Sequence, residues 1–270
     1  RWSVYYGEGR DAYDVPGRVA HESIFNVNDG AYRCPSTQQG YSPFTTWTRG
    51  LAWAILGFAE ELEYLGSLPP SELAASSGAA AGGVEAGAAG AKGVVAVGGA
   101  AIAVARRALD ATCAFYVANS AADGVPYWDT GAPGLAVLGP WRERPADPFN
   151  AHEPVDSSAA AIACQGFLRY GAWLTAAGDA GGKHWLDVGY SLLATLLEEP
   201  YLNGLNDHHG LLLHSVYHRP NGWDHVPPGR SVPCGESSMW GDYHLREAAL
   251  CAQRMIEGGT PLVFWRRRSV

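Results

Sequence analysis

The chain has 270 residues, a formal net charge of −8, 47% hydrophobic residues and 17% charged residues. That length allows one domain with a substantial core. The acidic balance argues against nucleic acid or an anionic membrane as the main partner, while a few local Arg or His groups could still hold a small anion. The five cysteines are odd in number and form no C-x-x-C, so neither a disulfide framework nor a zinc ribbon is expected. No run of 18 apolar residues occurs, so no membrane span is predicted.

Residues 1–44 are rich in Tyr, Gly, Asn, Asp and Pro and read as loops with short strands. A helix is expected over 46–65, where Leu51, Ile55, Phe58, Leu62 and Leu65 recur at helical spacing, with Thr45 or Thr46 as its cap and Pro69 and Pro70 beyond its end. Residues 71–101 are dominated by Ala and Gly and read as a disordered surface insertion. Helical patterning resumes over 102–119, with Ala105, Leu109, Cys113 and Tyr116 as the apolar row. A loop over 124–148 precedes a third helix that Asp156 caps and that runs to about Thr175. A fourth is expected over 183–198 and a last over 239–257. Long helices joined by long loops, with little strand, predict a mainly α fold whose helices pack antiparallel to their neighbours.

Five short blocks carry the chemistry. They are Gln39-Gly40 followed by Thr45-Thr-Trp-Thr-Arg-Gly-Leu-Ala-Trp53; Gly124-Val-Pro-Tyr-Trp-Asp129; Asp156-Ser-Ser-Ala-Ala-Ala-Ile162; Tyr217-His218; and Trp240-Gly-Asp-Tyr243. Any one of them could arise by chance. Together and in this order they resemble unsaturated glucuronyl hydrolases, family 88 of the glycoside hydrolases, over about residues 21–254. The unsaturated rhamnogalacturonyl hydrolases are a neighbouring alternative, but their Trp-x-Arg-Gly segment continues with Gly-Trp where this chain has Leu51-Ala-Trp53. A non-catalytic or degenerate carbohydrate-binding fragment is the alternative from another class.

The resemblance implies a single (α/α)6 barrel, or six-hairpin toroid, acting without a cofactor. Its implied partner is an oligosaccharide carrying a 4,5-unsaturated uronic acid at its non-reducing end, and its implied reaction is hydration of that double bond. The family's substrate-near aspartates lie in an N-terminal half, one of them in an H-D-x-G-F-like segment. The matching region would precede Arg1, so the resemblance implies a C-terminal part, incomplete at the N-terminal side, and carries no catalytic residue onto this chain. It implies substrate-binding roles for His21, Gln39, Trp47, Arg49, Trp53 and Tyr217. Gln38 stands where the family has a His before the Gln.

The residues themselves leave alternatives open. Trp47 and Trp53 are six positions apart, about 240° around a helix, and so share no single core stripe. An indole face suits a pyranose ring, and core packing is the plainer role. Arg49 would sit in the first helical turn, near the positive end of the helix dipole, and so calls for a partner: a substrate carboxylate or a buried Asp. His21 and Gln39 keep the family's spacing, although residues of these types in loops often have no special role. Asp129 and Asp242 could be structural acceptors or pocket groups. His208, His209, His214 and His218 could form a metal set only if they converge, and the resemblance implies no metal. The loop over 219–238, with Trp223, Arg230, Ser237 and Ser238, is expected to shape the site beyond the scissile bond.

Overall fold

A computed structural model describes residues 3–69, 72–73, 91–204 and 208–263. Their main elements are a hairpin and five α-helices: β1 (Glu22–Phe25), β2 (Tyr32–Ser36), α1 (Thr48–Ser67), α2 (Ala91–Ala118), α3 (Ser157–Ala176), α4 (Gly181–Leu196) and α5 (Met239–Ile256). The mainly α expectation holds. The antiparallel β1–β2 pair is the only sheet among the described residues, and it lies within the segment expected to hold short strands.

The core is built around α3. Sixteen of its 20 residues are buried, and it packs against α1, α4 and α5. Its sequence explains this: Ser-Ser-Ala-Ala-Ala-Ile-Ala-Cys-Gln-Gly offers small residues on every side, which lets several helices approach at once. Gly166 marks the closest approach. A Cβ there would lie 2.7 Å from Ile55 Cγ2 and 3.0 Å from the Leu56 nitrogen on α1. The predicted apolar rows of the neighbouring helices face this core. Leu51, Ile55 and Leu62 of α1, and Ala105, Leu109, Cys113 and Tyr116 of α2, are all buried.

Helix ends show what the sequence hid. Asp156 caps α3 as expected, accepting from the Ser158 and Ala159 nitrogens. The cap expected at Thr45 or Thr46 is not there. Trp47 occupies the N-cap of α1 without a side-chain cap bond, because the Thr46 hydroxyl is used elsewhere: it accepts from the Val19 nitrogen and donates to the Val19 carbonyl. The Ala/Gly insertion expected over 71–101 falls partly outside the described residues. From Ala91 onward the chain is already helical, eleven residues before the expected start. Ala has the highest helix propensity, and extending an anchored helix is far easier than starting one, so the Ala content outweighs the scattered Gly. All five cysteines are free thiols, four of them buried and Cys34 exposed.

Candidate functional site

The Gln39-Gly40 turn and the head of α1 are tied together by a buried carboxylate. Asp129 is fully buried; Oδ2 accepts from the Tyr41 nitrogen at 2.9 Å and Oδ1 from the Gly131 nitrogen at 2.9 Å. Burial pushes its pKa up, and those two N–H groups pull it back. Gly40 is required beside it, since a Cβ would lie 2.7 Å from Thr37 Oγ1 and 3.0 Å from Asp129 Oδ2. A short seam completes the join. The Thr48 nitrogen donates to the Trp128 carbonyl and the Thr130 nitrogen to the Thr46 carbonyl, which brings the Gly124–Asp129 block alongside the first turn of α1. Asp129 is therefore a structural acceptor.

His21 packs against Trp47 with ring centroids 4.6 Å apart. Its Nδ1 accepts from the Gln38 nitrogen at 3.2 Å and lies 3.0 Å from Thr37 Oγ1. The Thr37 oxygen itself accepts from the Gly40 nitrogen, so its proton points to Nδ1. With Nδ1 an acceptor, the neutral ring carries its hydrogen on Nε2. Burial lowers the pKa of His21; Glu22 opposes the shift, and Arg49 and His218 reinforce it.

Arg49 is buried, 3% exposed, and its guanidinium lies between two indoles, with Cζ 4.8 Å from the ring centroids of both Trp47 and Trp240. Nη2 donates to the Tyr217 carbonyl at 2.7 Å, Nη1 donates to the Val216 carbonyl, and Nη1 is 3.8 Å from Asp156 Oδ2. The partner that its place in the helix called for is thus a buried Asp helped by two backbone carbonyls. Burial lowers its pKa, and Asp156 and Asp224 counter that shift. Asp156 divides its work: Oδ1 caps α3, while the buried Oδ2 makes no hydrogen bond among the described residues and faces the guanidinium.

The backbone that Arg49 holds presents Tyr217. Gln39 Nε2 donates to the same Tyr217 carbonyl at 3.3 Å, and Asp224 accepts from the Tyr217 and His218 nitrogens. The Tyr217 ring is half exposed, with its centroid 5.6 Å from those of both Trp223 and Trp240. Trp240 stands in the first turn of α5, which Ser238 caps, and its Nε1 donates to Ser158 Oγ at 3.0 Å. Ser215, Tyr217, Trp223, Glu236 and Trp240 line an open cleft of about 360 Å³.

The structure brings five of the six expected residues into one constellation: His21, Gln39, Trp47, Arg49 and Tyr217. Trp53 lies one turn beyond Arg49 on α1, 39% exposed, with its ring centroid 5.0 Å from that of His244 in an edge-on arrangement. Sequence reasoning did not single out Trp240 or Glu236 as site residues. The Trp-Gly-Asp-Tyr block and the Ser-Ser cap before it were the available signal for Trp240; Glu236 lay within the loop over 219–238 expected to shape the site, with no role assigned to it. Asp242 is a structural acceptor, taking hydrogen bonds from the Leu211 and Leu212 nitrogens and from Ser237 Oγ. The four loop histidines have separate tasks. His208 Nδ1 accepts from the Gly210 nitrogen, His214 Nδ1 from Gly235 and His218 Nδ1 from Asn221, while His209 is exposed. No three metal-ligating side chains converge among the described residues. Arg230 is drawn to Phe149, donating to its carbonyl at 3.1 Å and lying over its ring, and does not line the cleft.

No protein-family model matches the chain. It is 25% identical over 240 residues to an unsaturated glucuronyl hydrolase of Formosa agariphila, a match covering 88% of this chain and 44% of that protein. The solved structure of an unsaturated glucuronyl hydrolase from Bacillus sp. GL1, described as responsible for glycosaminoglycan degradation, is 26% identical with a TM-score of 0.59 and covers 94% of this chain and 50% of that one. A Streptococcus agalactiae unsaturated glucuronyl hydrolase variant, complexed with dGlcA-GalNAc6S, shares the fold at 21% identity and a TM-score of 0.53, over 86% of this chain and 46% of that one. The chain spans about half the length of the curated relatives it matches. Over 88% of its length, the chain is a relative of the unsaturated glucuronyl hydrolases, as its motifs implied.

Proposed function

We propose that this chain belongs to an enzyme that hydrolyses unsaturated oligosaccharides by hydrating the 4,5 double bond of a terminal unsaturated glucuronic acid. A proton adds at C4 and water at C5, and the resulting hemiketal opens and releases the next sugar. The five helices would form one arc of an (α/α)6 barrel. Within it, Tyr217 offers ring surface to the sugar, the buried Trp47 backs His21 and Arg49, and His21 Nε2–H and the Gln39 amide offer donors to hydroxyl or carboxylate oxygens. Arg49 and the head of α1 supply positive potential for the uronate. Arg49 acts chiefly by position, since it fixes the Tyr217 backbone and the two indoles.

One observation carries this reading. Residues from the first fifth of the chain and from position 217 meet at a single point, through the Gln39 and Arg49 bonds to the Tyr217 carbonyl. The test is a titration of the purified chain with an unsaturated uronic disaccharide and with its saturated counterpart, followed by indole fluorescence. Preferential binding of the unsaturated sugar, weakened by Gln39→Ala, is expected. Equal or absent binding of both would overturn the proposal.

A further inference from the structure

We infer that the cleft bounded by Tyr217, Trp223, Trp240 and Glu236 is a subsite for a cationic sugar, a hexosamine with an unsubstituted amine, linked to the unsaturated uronate. This rests on the reading above and extends it to the leaving sugar. Three aromatic rings meet here. The Tyr217 ring is tilted 35° from Trp223 and 42° from Trp240, so the rings form a stepped, curved wall and not a closed stack. Trp223 is 59% exposed and Tyr217 48%. Ring faces carry the negative part of the aromatic quadrupole and attract cations.

The cleft also has a charge to match. Glu236 lines it; Oε2 is held by the His225 nitrogen at 2.7 Å, and Oε1 makes no hydrogen bond to the described residues. Among the described residues, no Lys or Arg lines the cleft. The nearby cations are committed: Arg49 lies behind Trp240 with its charge met by Asp156 and two carbonyls, and Arg230 is held at Phe149. An ammonium entering the cleft would meet π faces and a carboxylate. A sulfate would meet the same carboxylate without a counter-charge. An N-acetyl group would keep the ring contacts and lose the charge.

The experiment uses the whole chain at mildly acidic pH, where the sugar amine is protonated. The ligands are unsaturated uronate–hexosamine disaccharides with a free amine, an N-acetyl or an N-sulfo group, together with the methyl glycoside of glucosamine. Binding is read from indole fluorescence and from the indole N–H signals of Trp223 and Trp240. The free-amine disaccharide should bind about tenfold more tightly than the N-sulfo one, the scale of a partly desolvated cation–π contact. Glu236→Gln should collapse that ratio, and Trp223→Ala should weaken the free-amine ligand most. Equal affinities, an N-sulfo preference or an unchanged ratio in Glu236→Gln would overturn the inference while leaving the uronate reading intact. If the methyl glucosaminide shifts both indole signals and no disaccharide binds, the uronate reading fails and the cationic subsite stands. If nothing binds, both fall.

Discussion

Arg49 Nη1 and Asp156 Oδ2 lie 3.8 Å apart with both side chains buried, and this pair joins the first turn of α1 to the cap of α3. Neither group has water to fall back on. The pair's effect on stability therefore differs from its effect on binding, and the two can be separated by mutation.

Arg49→Ala leaves Asp156 Oδ2 buried without a counter-charge and removes the Arg49 donor from the Val216 and Tyr217 carbonyls, the latter keeping only Gln39 Nε2. A loss of about 3–5 kcal/mol in urea unfolding is expected. Arg49→Lys should recover only part of it, because an ammonium cannot span two carbonyls and two indole faces as a planar guanidinium does. Wild-type stability in Arg49→Ala would show that the pair contributes nothing.

Trp47 and Trp53 should behave differently. Trp47 is 8% exposed and packed between His21 and Arg49, so Trp47→Ala should cost about 3–5 kcal/mol of stability. Trp53 is 39% exposed, so Trp53→Ala should leave the midpoint of unfolding nearly unchanged. If Trp53 contacts the sugar, its removal should weaken unsaturated disaccharide binding by roughly 2 kcal/mol or more, the scale of an aromatic anchor. Unchanged binding would remove Trp53 from the site.

Burial holds the pKa of both His214 and His244 down to about 4. Around His244, Arg169 adds to the shift, and Nδ1 lies 2.6 Å from Gln165 Oε1. A histidine with a depressed folded pKa takes up protons more readily when unfolded. Its contribution is complete above pH 6.5 and is lost as pH falls from there towards 4, on the order of 2 kcal/mol each. Unfolding measured across that window should show stability falling with acidity. His214→Asn keeps an acceptor for the Gly235 nitrogen and suits the positive φ of 68°, so it should flatten the slope. An equally steep slope in that variant would assign the effect elsewhere.

The purified chain should not turn over an unsaturated disaccharide. Hydrating the double bond needs a positioned acid. Asp129, Asp224 and Asp242 each accept at least two backbone N–H groups, and Asp156 caps a helix and faces Arg49. The assay follows loss of the absorbance of the conjugated double bond. Turnover abolished by Asp156→Asn or Glu236→Gln would place the acid within this chain.

Much of this arrangement is legible in the amino-acid sequence, and the exceptions have physical causes. Helical spacing found the buried faces of α1 and α2, since 3.6-residue periodicity is a local property. Asp156 before Ser-Ser-Ala was readable as a cap for the same reason. Thr46 misled because its hydroxyl bonds to Val19, 27 residues away, and propensity holds no record of such a partner. The start of α2 was missed because Gly density was weighed without the helix already anchored beyond it. Within the site, residue types and order pointed to Trp47, Arg49 and Tyr217. That Arg49 grips the Tyr217 carbonyl and not its ring, and that Glu236 shares a cleft with three aromatics, depends on distant segments meeting.

The bond from Arg49 Nη1 to the Val216 carbonyl closes a span of 167 residues. Contacts of such sequence separation carry a large loop-closure entropy and raise contact order, which slows folding. Hairpins and single helices can form early, but this junction forms only once both ends of that span are in place. Under the proposed function, sugar binding should therefore report complete folding: a refolding intermediate with full helical content should still fail to bind, and ligand affinity should return with the slowest phase.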